Sequence, residues 1–169
     1  APGPVADMAL FRAAQLTTQA AVAAAADGTI FAATAPDGKV YRIGPDRRPT
    51  VYFDPKEKYI WALQLMADGS LIAATGDNGK IYRVTAAGAD PQNSVLFDSA
   101  DTHVISLAVD AAGNLYAGTD PGGVVIRFGG DRKPFALLDS PLREIHAIAP
   151  AADGSVYVLA IGDSTSAPA

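Results

Sequence analysis

Apolar residues in this chain fall in short runs, broken by Asp-Gly, Asn-Gly, Gly-Gly or Pro. Runs of that length suit β-strands and are short for helices. Glycine-containing breaks between them mark successive hairpins, because glycine takes positive φ without steric cost. The runs also repeat. Ala26-Asp-Gly-Thr-Ile-Phe-Ala-Ala-Thr34 is echoed by Ala67-Asp-Gly-Ser-Leu-Ile-Ala-Ala-Thr75, by Ala111-Ala-Gly-Asn-Leu-Tyr-Ala-Gly-Thr119 and by Ala152-Asp-Gly-Ser-Val-Tyr-Val-Leu-Ala160. Their glycines, Gly28, Gly69, Gly113 and Gly154, are spaced by 41, 44 and 41 residues. Gly38-Lys-Val-Tyr-Arg-Ile43, Gly79-Lys-Ile-Tyr-Arg-Val84 and Gly123-Val-Val-Ile-Arg-Phe128 form a second echo. Thr50-Val-Tyr-Phe-Asp54, Ser94-Val-Leu-Phe-Asp98 and Phe135-Ala-Leu-Leu-Asp139 form a third. An inner run precedes each Asp-Gly or its variant, as in Ile60-Trp-Ala-Leu-Gln-Leu-Met66, Val104-Ile-Ser-Leu-Ala-Val109 and Ile145-His-Ala-Ile-Ala149.

Each unit therefore holds four strands, labelled A to D in chain order. Four-stranded units of this length predict propeller blades. The expected fold is all-β: a partial β-propeller of three four-stranded blades with incomplete blade strands at both ends. The blades span residues 19–54, 60–98 and 104–139; residues 8–12 are the D strand of a preceding blade and 145–160 the A and B strands of the next. The first A strand falls in Ala20-Ala-Val-Ala-Ala-Ala25, an alanine run that also suits a helix; repeat phase assigns it to a strand. A blade is covered on both faces by its neighbours, so both parities of the A strand are apolar. Leu63, Leu107 and Ile148 align, with the small Ala62, Ser106 and Ala147 one step earlier.

Closed propellers have four to eight blades. Three and a fraction imply either missing blades from a longer parent chain or a homodimer that completes the ring. An open arc leaves apolar faces and strand edges in water, which favours association.

Phe53-Asp-Pro-Lys-Glu-Lys-Tyr-Ile-Trp61, Ala74-Thr-Gly-Asp-Asn-Gly-Lys-Ile-Tyr-Arg83 and Ala117-Gly-Thr-Asp-Pro-Gly-Gly123 carry a resemblance to bacterial β-propellers with NHL-, SMP-30- and PQQ-like repeats, in particular to members without an assigned activity. The resemblance covers nearly the whole chain and implies a fold, not an activity, since propellers host many unrelated functions. The Gly-His opening and Trp-Asp ending of WD40 repeats are absent from the repeats.

Composition narrows the partners. A hydrophobic share of 49% against a charged share of 18% describes a globular chain. A net charge of −5 opposes binding to phosphate backbones or anionic lipid, and Arg47-Arg48 and Arg132-Lys133 are too small to reverse that. Neither nucleic acid nor membrane is an expected partner, and no apolar run is long enough to span a bilayer. The chain has no cysteine, which excludes disulfides and thiolate chemistry. The compartment is open from sequence, with periplasm or secretion favoured over cytoplasm.

In a propeller the D–A and B–C connections emerge together around the mouth of the central channel. The D–A connections Pro55–Tyr59, Ser99–His103 and Ser140–Glu144 diverge while the strands around them repeat, as expected of an interaction face; drift of surface loops is the plainer account. Candidate binding residues there are Glu57, Lys58, Tyr59, Asp101, Thr102, His103, Arg143 and Glu144. Tyr59, His103 and Glu144 share one repeat position. His146 lies two residues past Glu144, so His103, Glu144 and His146 are the His/carboxylate group able to ligate zinc or iron or to move protons. Against this, His146 aligns with Trp61 and Ile105, which read as packing positions. Trp61 itself reads as inter-blade core, with stacking on a quinone or sugar as the alternative. Arg42, Arg83 and Arg127 recur in strand C and are expected to cover neighbouring blades with their stems. Asp37, Asp77 and Asp120 read as turn residues, not calcium ligands. Inner strands offer mainly Gln64 and Asp110, so the acidic channel site of SMP-30-like hydrolases is not recognisable. No serine-nucleophile elbow, phosphate loop or zinc-protease motif is present. No cofactor and no catalytic residue is expected. The function predicted is a scaffold for a protein or peptide; a hydrolase or lyase sharing a His site with further blades is the alternative.

Overall fold

The computed structural model describes residues 18–162. The expected D strand at 8–12 lies outside them. The fold is an open partial β-propeller built of antiparallel sheets. The first blade comprises β1 (Thr18–Ala24), β2 (Ile30–Ala35), β3 (Val40–Ile43) and β4 (Pro49–Phe53). The second comprises β5 (Tyr59–Leu65), β6 (Leu71–Gly76), β7 (Lys80–Val84) and β8 (Val95–Asp98). The third comprises β9 (His103–Val109), β10 (Leu115–Asp120), β11 (Val124–Phe128) and β12 (Pro134–Asp139). A two-stranded sheet follows, β13 (Glu144–Pro150) and β14 (Val156–Ile161). The alanine-rich first A run is thus a strand. Its partner β2 is buried along most of its length, and sheet packing overrides the helix propensity of alanine.

A short helix, α1 (Pro91–Ser94), interrupts the C–D connection of the second blade and was not anticipated. Asp90 caps it by accepting from the Gln92 N–H. This connection is longer than its counterparts and accounts for the wider spacing of the second repeat.

Each A–B turn is closed the same way. Gly28, Gly69, Gly113 and Gly154 have φ between +80° and +88°. The turn aspartate accepts from the backbone two residues on: Asp27 from Thr29, Asp68 from Ser70 and Asp153 from Ser155, each at 2.9 Å. The third repeat has Ala112 at that position. There Asp110 substitutes, accepting from the backbone of Ala112 and Asn114 and from the Tyr116 hydroxyl. Asp110 is therefore a turn residue and not a channel acid.

The sheets stack face to face around three apolar seams. Phe31, Phe53, Ile60 and Tyr82 meet between the first and second blades. Ile72, Ile81, Val104 and Phe128 meet between the second and third. Tyr116, Val125, Ile145 and Ile148 meet between the third blade and the last sheet. Aromatic pairs join the D strand of one blade to the C strand of the next: Phe53 with Tyr82 at 5.4 Å, and Phe97 with Phe128 at 5.6 Å. β12 has no such cover and is exposed throughout.

All four A–B pairs carry a β-bulge at one repeat position. The extra residue is Ala20 in β1, Trp61 in β5, Ile105 in β9 and His146 in β13. A bulge bends its strand and re-aims a side chain. That local irregularity builds the site.

Candidate functional site

Tyr59, His103 and Glu144 are the first residues of β5, β9 and β13, and the bulge residues Trp61, Ile105 and His146 stand two further on. Trp61, His103, Ile105, Asp120, Glu144 and His146 together line an open groove of about 300 Å³ where the second blade, the third blade and the last sheet meet. Two expectations are corrected here. Trp61 is only partly buried and His146 is exposed; neither is inter-blade core, because the bulge turns both out of the strand's alternation.

Three aromatic rings run through the groove wall. Tyr59 stacks on Trp61 with centroids 5.0 Å apart and planes at 17°. Trp61 meets His103 edge-on at 6.0 Å. The His103 ring is held by two donors on one nitrogen: Nδ1 accepts from the Trp61 indole N–H at 3.4 Å and from the Asp77 backbone N–H at 3.2 Å. That arrangement puts the ring proton on Nε2, leaving a donor at the other end of the imidazole. Gly76 makes it possible, since a Cβ there would run into both rings.

Charges border the rings. Arg143 donates to Asp120 Oδ1 from Nε and Nη2 at 3.3 and 3.2 Å. Its Nε stands 3.9 Å from Glu144 Oε1, and His146 Nδ1 stands 3.8 Å from Glu144 Oε2. Both distances exceed hydrogen-bond reach, so the Glu144 carboxylate accepts no hydrogen bond from the described residues. Lys58 lies 4.8 Å from the Tyr59 ring centroid and 3.7 Å from Asp77. Asp101 packs over Gly122, and Thr102 is exposed.

Glu57 sits differently from the other candidates. Its side chain is buried, accepting from Asn78 Nδ2 at 2.7 Å, from the Tyr82 hydroxyl at 2.8 Å and from Lys80 Nζ at 3.4 Å. Burial, and then the bond to Glu57, pushes the Tyr82 phenol well above its usual range. Glu57 thus latches a D–A connection to the hairpin of the following blade and offers nothing to solvent. Backbone contacts also dock each D–A connection on the hairpin of the preceding blade: Gly38 nests on the Glu57 carbonyl, Gly79 on that of Asp101 and Gly123 on that of Leu142.

Among the remaining candidates Arg83, Asp77 and Asp120 are engaged in ion pairs. Arg83 pairs with Asp68 at 2.6 Å, at the opposite end of the blade. The Ser70 hydroxyl and N–H, and then Arg83, hold the Asp68 carboxyl well below the usual carboxylate range. Asp77 and Asp120 reach across to Lys58 and Arg143 on neighbouring D–A connections. Among the described residues no three His, Cys, Asp or Glu side chains gather closely enough to hold a metal. No described helix is long and apolar enough to cross a membrane.

These features define a class: an all-β chain of propeller blades with an open groove beside the starts of its A strands. Solved structures support the fold. Virginiamycin B lyase from Staphylococcus aureus matches with a TM-score of 0.68 at 15% identity, over 84% of this chain and 48% of that one. The nidogen/laminin complex matches at 0.67 and 14%, over 85% and 57%. A putative gluconolactonase matches at 0.62 and 18%, over 82% and 54%. This chain spans about half the length of these propeller proteins. No family model matches the chain, and no curated protein matches it.

Proposed function

We propose that this propeller section is a non-catalytic binding module that holds a protein or peptide segment on the face formed by its D–A and B–C connections. One observation carries the reading. The bulges turn unlike side chains, Trp61, Ile105 and His146, from equivalent positions into one groove. Packing does not ask for that variety at a position that repeats; recognition does. Lys58, Tyr59, Asp101, Thr102, His103, Arg143 and Glu144 form the face, with Glu57 beneath it as support. The two-stranded sheet of β13 and β14 is an incomplete blade, completed by further blades of a parent chain or by a second copy. That one structural match comes from a nidogen/laminin complex is in keeping with a binding role.

The test is selection of peptides from a displayed library. Binders lost on Trp61→Ala and kept on Arg132→Glu, at the opposite end of the blades, support the groove. Binders with the reverse sensitivity overturn it.

A catalytic reading has its own observation: two imidazoles and a carboxylate, His103, His146 and Glu144, share the groove. Among the structural matches is a catalytically inactive histidine-to-alanine variant of virginiamycin B lyase with quinupristin. Hydrolase or lyase turnover by the purified chain, lost on His103→Ala, would favour that reading.

A further inference from the structure

Charge is distributed unevenly between the two ends of the blades. At the end carrying the groove (residues 37–39, 54–58, 77–80, 98–103, 120 and 139–144), Asp and Glu outnumber Lys and Arg by nine to five. In the rest of the described chain the count is seven of each. There, Arg83 pairs with the turn acid Asp68 and Lys133 with Asp131. The acidic surplus of the described residues therefore lies wholly at the groove end. Within the groove, Glu144 is part-buried and accepts no hydrogen bond from the described residues, while Asp120 already accepts from a guanidinium, that of Arg143. Beside them stands Trp61, whose π-system is extended by stacked Tyr59.

We infer that the groove receives a cationic side chain, the guanidinium or ammonium of an arginine- or lysine-bearing peptide, with Glu144 as its acceptor and Trp61 as its aromatic wall. This rests on the reading of the groove as a binding site. Three physical terms act together. A part-buried carboxylate without a hydrogen-bond partner gains from a charge-assisted donor. A cation beside an indole is attracted by the ring quadrupole. The surplus negative charge of the surrounding face draws basic partners in and turns acidic ones away. Arg143 is half-exposed and engages only one oxygen of Asp120, so it shows how a guanidinium sits there without filling the groove.

Trp61 is the sole tryptophan, so its emission reports directly on the groove. The probes are a short peptide alternating serine and arginine, and the same peptide with citrulline, which keeps the shape of arginine and removes its charge. The arginine peptide is expected to shift Trp61 emission saturably and to bind about tenfold more tightly than the citrulline peptide, the difference weakening with salt. Glu144→Gln should lower that affinity about fivefold or more, as expected for loss of a charge-assisted bond. Asp131→Asn, which removes the same charge at the opposite end, should leave it unchanged. A urea midpoint equal to that of the parent shows that Glu144→Gln still folds. Equal binding of the citrulline peptide overturns the cation and leaves the groove as a peptide site. A flat emission with both peptides also overturns the inference; the binding reading is then judged by the display experiment alone.

Discussion

The indole N–H of Trp61 meets Nδ1 of His103 across the seam between the second and third blades, 3.4 Å away. One residue is the bulge of its A strand and the other opens the next A strand. The contact thus links two blades at the position where the repeat diverges most. It depends on the bare Cα of Gly76.

Gly76→Ala should therefore open the groove wall without unfolding the blade. The new methyl displaces ring ends, not backbone, so the stability loss should be about 1 kcal/mol. Trp61 emission should move to longer wavelength as the ring leaves His103. Unchanged emission would show that the two rings are not held by this contact.

Gly79 makes a stronger demand. It has φ +53° and sits directly on the carbonyl of Asp101, which belongs to the D–A connection leading into the next blade. Gly79→Ala should cost about 2 kcal/mol or more, combining left-handed strain with a backbone clash. Gly69 has φ +80° with nothing near its missing Cβ, so Gly69→Ala should cost only about 1 kcal/mol. Urea unfolding of the pair separates the terms. Equal losses would mean that the docking of connection on hairpin contributes nothing.

The blades were legible because hairpin glycines recur in phase, and phase was enough to make a strand of the alanine run at β1. The groove was half legible. Alignment placed His103 and Glu144 at the heads of adjacent A strands, where the structure has them. It grouped His146 with them but favoured packing for both His146 and Trp61, because the aligned Ile105 occupies a position that a period-two strand packs. Only the bulge breaks that period, and a bulge leaves no residue signature here: Ala, Trp, Ile and His occupy it in turn. The burial of Glu57 was equally silent. Its partners Asn78, Lys80 and Tyr82 come from the next blade, so no local pattern marks it.

Stability should fall in acid, through the A–B turns. Asp68 is lowered chiefly by the Ser70 hydroxyl and N–H, Asp27 by the Thr29 N–H and Asp153 by the Ser155 N–H. Each depressed carboxyl stabilises the fold above its unfolded value near 3.9 and loses that contribution as pH falls toward its folded value. Parent protein should thus lose urea resistance steadily below about pH 4. Asp68→Asn should be less stable than the parent at neutral pH and show a shallower decline in acid. Parallel curves would exclude Asp68 from the acid response.

Positions hidden in three blades are bare in the last sheet. Tyr157 aligns with Phe31, Ile72 and Tyr116, which are 6%, 1% and 5% exposed, yet Tyr157 is 67% exposed. Leu159, aligned with buried Ala33, Ala74 and Gly118, is 56% exposed. The side chains that meet the next blade elsewhere thus face solvent in β14, and Phe135 of β12 is equally bare. Apolar surface of this kind drives association, so the chain should sediment above its 17.3 kDa mass as concentration rises. Tyr157→Lys combined with Leu159→Glu should return it to the monomer mass with little loss of stability, since neither side chain is packed. Sedimentation of the parent at 17.3 kDa over the whole accessible range would show that this sheet face tolerates water unaided.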